Sequence, residues 1–302
     1  WMDNEGNVVD FGLPSPPDRI IVVPCSTPSG CAPTISTTAR VRNVINPPCG
    51  EIEITGCLEV ADFVINLGKF LLKVTNETSY GQYLGPRMEN LEFEMVMNEN
   101  GWHNIGFPVE ITASEWAAQN NTVSDPILVN LTGDLETHNL LWWDAETSSG
   151  QEQGFLIDRN SVQYSTHAYG TWNLVTDGIW DAPGGTDMDL SNRGFNYYID
   201  NKFFNTTNVL RAKGTSNDGD IIYSTSDNFG GWNLIPNIYP VTISIAEMYT
   251  SGFFTGFDNV VWIWDPGDSN PSQPTQGLFG SGAYIAYDAQ TGNALNGALT
   301  TN

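Results

Sequence analysis

One phrase occurs twice in this chain, and its recurrence limits what the chain can fold into. Gly101-Trp102-His103-Asn104-Ile105-Gly106-Phe107-Pro108 returns as Gly231-Trp232-Asn233-Leu234-Ile235-Pro236-Asn237-Ile238-Tyr239-Pro240. An aromatic run ending on aspartate follows each copy, Leu141-Trp142-Trp143-Asp144 and then Val261-Trp262-Ile263-Trp264-Asp265. A third phrase trails each, Arg193-Gly194-Phe195-Asn196-Tyr197-Tyr198-Ile199-Asp200 and Ser281-Gly282-Ala283-Tyr284-Ile285-Ala286-Tyr287-Asp288. Three short phrases in one order mark a duplicated structural unit rather than a single enzyme domain. The spacing differs: Asp144 to Gly194 is 50 residues, whereas Asp265 to Gly282 is 17. The first copy therefore carries an insertion at about residues 151–189. Insertions into β repeats tend to carry binding, and Trp172 and Trp180 are candidates for stacking on sugars or filling an interface. The plainer alternative is that they pack the insertion onto its parent sheet.

Local patterns are those of strands. Residues 1–50 hold Pro14, Pro16, Pro17, Pro24, Pro28, Pro33, Pro47 and Pro48, a density that forbids a helix and suits extended chain such as Arg19–Val23. Ile52 with Ile54, and Leu58 with Val60, alternate with period two. Phe63–Val74 reads as two strands about an Asn-Leu-Gly turn, and Leu91–Met97 as a strand with its acidic side outward. Only two short helices are expected. Thr112 with Glu115, and Ser244 with Glu247, have capping-box spacing ahead of them. The expected fold is all-β, with tandem β-sandwich-like domains: a Pro-rich, disulfide-stapled segment at 1–90, one repeat at 91–213 and a second at 214–302.

The four cysteines, Cys25, Cys31, Cys49 and Cys57, lie within the first 57 residues. Their even, clustered set favours disulfides and an oxidising compartment, because the gaps are wide for zinc. Sequential pairing, Cys25–Cys31 and Cys49–Cys57, is one of three possibilities. With 35 acidic and 11 basic side chains, a formal charge of −24, the chain should repel nucleic acid and anionic lipid. No segment is apolar enough to span a membrane. The chain begins at Trp1 without a Met or a signal-like stretch, and it is expected to be a piece of a longer polypeptide.

The second copy, Gly-Trp-Asn-Leu-Ile followed by Tyr239-Pro240 and a strand ending Trp264-Asp265-Pro266, resembles modules of large ectodomains exported by the type IX secretion route of Bacteroidota. Arg211–Asp220 resembles the lead-in strand and turn of such a module. The likeness covers about residues 91–302 and departs from the usual phrase at Pro236 and Ile238. It implies a secreted or cell-surface β-sandwich protein, often adhesive, and transfers no catalytic residue.

Motifs for catalysis are missing from the sequence. His103, His138 and His167 are scattered, and His-Glu-x-x-His, Gly-x-Ser-x-Gly and Cys-x-x-Cys do not occur. Asp144 and Asp265 could be taken for a glycosidase pair, but their equivalence in the repeat assigns them to the scaffold. Calcium is the one cofactor weighed. Asp218, Asp220, Asp265 and Asp268 offer hard oxygen ligands on turns, as do Asp187 and Asp189, against the plainer reading that Asp simply initiates turns. The expectation is a non-enzymatic extracellular structural or adhesive protein of a bacterial surface assembly or filament, partnered by itself, other surface proteins or glycans. The alternatives are a phage capsid-decoration, tail or fibre protein, and a secreted polysaccharide-binding or polysaccharide-degrading protein.

Overall fold

The computed structural model describes residues 20–23, 32–76, 79–96, 101–121, 140–144, 156–158, 161–163, 171–174, 187–199, 209–220, 223, 225, 233–265 and 283–295. These are mostly strands with two short helices, so the fold is all-β. Ten strands come first: β1 (Ile20–Val22), β2 (Thr34–Ile35), β3 (Thr38–Asn46), β4 (Glu51–Ile54), β5 (Cys57–Asn66), β6 (Lys69–Leu72), β7 (Val74–Asn76), β8 (Ser79–Tyr80), β9 (Gln82–Leu84) and β10 (Leu91–Val96).

Apart from the small β7–β8 hairpin, these strands do not pair with their sequence neighbours. β1, β3, β5 and β9 form one parallel sheet, and β2, β4, β6 and β10 run parallel in a second. Each coil gives one strand to each sheet, so this half winds as a β-solenoid where tandem sandwiches were expected. Ile35, Ile54, Leu72 and Phe93 are register neighbours in successive coils, 19, 18 and 21 residues apart. The two strands read within Phe63–Val74 are present, but β5 and β6 lie in different sheets and meet at a corner, not in a hairpin. β10, assigned from sequence to the first repeat, is the fourth rung, so the sheet crosses the boundary drawn at residue 90.

Period-two alternation supplies the core. Inward columns run Ile52–Phe70–Leu91, Ala39–Leu58–Tyr83 and Val41–Val60, all buried. Burying an aliphatic or aromatic side chain of this size contributes about 1.5–3 kcal/mol. Outside, the same register sets bases opposite acids. Arg40 pairs with Glu59 at 2.7 Å, Lys69 with Glu51, Lys213 with Glu92 at 3.5 Å and Arg211 with Glu94 at 2.8 Å. Glu94 shares the outer face with Glu92, as expected, but departs from expectation in being covered. It is buried, and it accepts hydrogen bonds from the Val74 backbone N–H and from the Arg211 guanidinium.

The corners are held by asparagines. Asn46 and Asn66 are register partners ending β3 and β5. Asn46 Nδ2 donates to Asn66 Oδ1 at 2.8 Å and to the Lys69 carbonyl at 2.9 Å. Asn66 Nδ2 passes the pattern on, donating to the Glu89 and Asn90 carbonyls. Glycine follows each corner because nothing larger fits. A Cβ on Gly50 would lie 2.1 Å from Asn46 Oδ1, and one on Gly68 would lie 2.2 Å from the Gly50 carbonyl oxygen.

Twelve further elements complete the chain: β11 (Gly101–Ile105), β12 (Val109–Glu110), α1 (Ala113–Asn120), β13 (Leu140–Asp144), β14 (Leu156–Asp158), β15 (Ser161–Gln163), β16 (Thr171–Leu174), β17 (Phe195–Ile199), β18 (Val209–Ser216), α2 (Ile245–Thr250), β19 (Val260–Asp265) and β20 (Ala283–Asp288). β11, β17, β13 and β16 form an antiparallel sheet, and β14–β15 and β19–β20 are two-stranded. β18 lies antiparallel on β10 and, with β12, closes the end of the second solenoid sheet. α1 is wedged between the two halves. Its Trp116 packs edge-on to Phe107 and Tyr197, while Gln119 and Asn120 bond the β18 backbone at Lys213 and Arg211.

Asn66→Ala is expected to destabilise the protein by about 1–3 kcal/mol, since it removes one of the two bonds of the buried Asn46 amide and both ties to the Glu89–Asn90 turn. A lowered urea midpoint would register the loss. Gly68→Val should be worse, because its neighbours at the clash are backbone.

Candidate functional site

The residues singled out from sequence are dispersed, and most of those described are occupied with backbone. Thr112 caps α1 as expected: its hydroxyl accepts from the Glu115 N–H, and the Glu115 carboxylate accepts from the Thr112 N–H at 3.0 Å. Ser244 caps α2 by accepting from the Glu247 N–H at 3.3 Å. Asp187 completes the α1 N-terminus, accepting from the Ser114 N–H at 3.0 Å and its hydroxyl at 2.6 Å. Asp189 closes its own turn onto Ser191. These are the bonds of helix caps and turns.

Asp218 and Asp220 flank Gly219, which has a φ of +69°, in an exposed turn where Asp218 lies 3.7 Å from the Arg87 guanidinium. Asp265 ends β19 and Asp268 is outside the described residues. Among the described residues, no three His, Cys, Asp or Glu side chains converge as a metal would require. Asp144 and Asp265 terminate strands of two different sheets. His103 is buried on β11 opposite Tyr197, and His138 and His167 are outside the described residues. Trp172 belongs to β16, in register with Trp143, so the insertion adds a strand to its parent sheet. Trp180 is not among the described residues.

The cysteine pairing needs correction. Cys49 is disulfide-bonded and Cys57 is a free thiol, so the Cys49–Cys57 bridge does not form. Cys57 opens β5 beside Thr38, at the start of β3, whereas Cys49 follows the end of β3. A nine-residue strand at about 3.3 Å per residue therefore separates them, far beyond the roughly 7 Å a bridge allows. Cys25 and Cys31 lie outside the described residues. Burial, then the Glu59 carboxylate, raises the Cys57 pKa above its ordinary value.

Among the described residues, one convergence of polar groups was not foreseen from the sequence. Buried Asn217 donates through Nδ2 to the carbonyls of Phe107 and Ile238, at 2.9 and 2.8 Å. Residues 233–242, which contain most of the second phrase, form a strap rather than a strand. The Pro240 carbonyl accepts from the Tyr83 N–H on β9, and the Thr242 N–H donates to Gln82 Oε1. The strap thereby closes the end of the first solenoid sheet. Tyr239 Oη donates to the Gly219 carbonyl, and Tyr223 Oη to that of Pro236. Burial, reinforced by Tyr239, pushes the Tyr223 hydroxyl up to about 12. The junction links three parts of the chain, and its groups bind each other. Against family models, curated proteins and solved structures, the chain matches none.

Because folding holds the Tyr223 proton more tightly, its contribution is complete below pH 10 and is lost as pH rises through about 12. Tyr223→Phe should flatten the fall in stability across that interval, as read from urea midpoints against pH. Iodoacetamide should label Cys57 in the native protein, slowly at pH 8 and faster above pH 9, whereas Cys49 should label only after reduction. Peptide mapping separates the two.

Proposed function

We propose that this chain is a non-enzymatic extracellular structural or adhesive element of a bacterial surface assembly. The observation that carries this reading is the employment of its polar side chains. Carboxylates and amides that could serve a ligand are committed to holding backbone at caps, corners and the junction. Four stacked coils make a rigid β unit with two open sheet faces, a shape suited to contact. The disulfide at Cys49 supports an oxidising compartment. Neutral sugars and protein surfaces are compatible partners for so acidic a chain.

Beyond the solenoid, residues 101–302 are read as two related sandwich-like modules, the second reduced. In each, a Ser/Thr-capped helix precedes an aromatic strand that pairs antiparallel with the strand of the third phrase. That is the organisation implied by the resemblance to type IX-exported surface modules. A phage tail or fibre protein is the second reading, favoured by the parallel coils, which also suit a fibre. Calcium at Asp218 and Asp220 keeps only the turn geometry in its support.

Antibody labelling of intact producing cells, with and without surface proteolysis, tests the proposal. Labelling that proteolysis removes is expected. Protein confined to the cytoplasm, with all four cysteines reduced by non-reducing mass, would sink it and favour the phage reading.

A further inference from the structure

Of the two helices, α2 buries no side chain, and Ile245, Met248 and Tyr249 on it are only half-buried. The turns that follow add aromatic rings to this surface instead of covering it. The Phe253 N–H donates to the Met248 carbonyl and the Phe257 N–H to that of Phe254, both at 3.0 Å. Gly252 and Gly256, with φ of +86° and +90°, permit the two reversals. Phe253 is left 41% exposed, Phe257 36%, and Ile243, just ahead of the helix, 38%. Phe254 stands edge-on to Phe253 with ring centroids 5.5 Å apart, and lies 6.3 Å from the Tyr249 ring. Backbone bonds thus hold an aromatic knob at the surface.

The knob lies in a stretch of one-sided charge. Residues 214–302 contain eight Asp and Glu side chains and no Lys, Arg or His. Glu247 on α2 and Asp258 next to Phe257 are both exposed, and among the described residues no base pairs with either.

We propose that the α2 knob docks a partner protein through a segment in which Arg or Lys alternates with apolar side chains. This rests on the reading above, in which the chain works by contact. A guanidinium or ammonium within about 6 Å of a phenylalanine face is drawn to the ring quadrupole, and its methylene stem packs on the ring. Glu247 and Asp258 stand at the edge of the knob to receive the charge. Charge complementarity selects this occupant. A second copy would bring acid to acid, because the chain carries −24 and seven of its 11 bases are already paired internally. Nucleic acid and anionic lipid are repelled for the same reason. A neutral sugar stacks on an open ring face and draws nothing from net charge, whereas Phe253 and Phe254 stand 77° apart.

Fluorescence anisotropy of the whole chain with a labelled peptide of four Arg-Leu repeats tests the proposal. Saturable binding is expected. Phe253→Ala and Phe257→Ala should each weaken it by roughly tenfold, and Glu247→Gln combined with Asp258→Asn by about as much. Glu89→Gln combined with Asp220→Asn removes equal charge from exposed positions elsewhere and should change binding by less than about twofold. Circular dichroism checks folding, and the surface carboxylate variant keeps the test decisive where a Phe variant misfolds. The same peptide with citrulline in place of Arg should bind at least roughly tenfold more weakly. Absence of binding, equal binding of the citrulline peptide, or equal losses in the two charge variants would overturn the proposal. Displacement of the peptide by cellohexaose would overturn it too, by assigning the knob to sugars. Protein that lies on the cell surface and ignores the peptide would overturn this knob alone. Protein that binds the peptide but is confined to the cytoplasm would overturn the extracellular reading alone.

Discussion

The hydrogen bond between Asn46 and Asn66 is the interaction on which the rest of the architecture depends. A parallel coil must make the same corner in every rung, yet the two corners here differ in length, Pro47–Gly50 in one and Leu67–Gly68 in the other. Stacked amides absorb that difference. Each asparagine ends its strand at the same register position, and its Nδ2 reaches the backbone of the following coil. Buried amides without partners are costly, so the ladder holds only in one alignment. A slip of one residue would also turn Ile52 and Ile54 outward and expose the two columns they form with Phe70 and Leu72. Corner and core therefore enforce the same register.

That register then organises charge. Seven of the chain's 11 bases pair with acids in the solenoid and its β18–β12 cap. Individually such exposed pairs contribute about 0–1 kcal/mol. Their larger consequence is placement, because neutralising the coils leaves the net negative charge to the remainder of the molecule. Glu94 and Arg211 extend the arrangement across the join, where the acid is buried and bonded while its partner stays half exposed. The solenoid is thereby tied to β18, and through β18 to α1.

Much of this was legible in the sequence, and what was missed has a common cause. Period two identified β4 to β6 and β10 as strands but passed over β3, hidden in the Pro-rich segment, and Ser/Thr-x-x-Glu spacing located both helices. Alternation reveals which face of a strand is buried but says nothing about which strand lies beside it. The parallel partners, and with them the position of Cys57 at the far end of β5 from Cys49, could not follow from it. One signal was available: Val44-Ile45-Asn46 recurs as Val64-Ile65-Asn66, and each is followed by a glycine and a charged residue opening a strand. Three residues in one repeat are easily lost among hydrophobic columns where Ile, Leu and Phe substitute freely. The junction left less to find. Asp187 caps a helix 73 residues away, and Asn217 bonds Phe107 across 110.

The duplicated phrase shows why copies of one sequence need not keep one structure. Gly101–Ile105 is a strand because β17 supplies a complete antiparallel partner. In the second copy Pro236 replaces Gly106 and removes a backbone donor, and Asn233–Pro240 lies as a strap instead. Those two equivalent positions touch: a Cβ on Gly106 would stand 2.6 Å from Pro236 Cβ. Gly194 likewise yields space to Leu234, the counterpart of Asn104, and Asn104 hydrogen-bonds Tyr284 of the second copy. Where the two phrases meet, small residues in one accommodate larger ones in the other. At such a contact a difference between the two phrases is what lets them fit, and each phrase helps to hold the other in place.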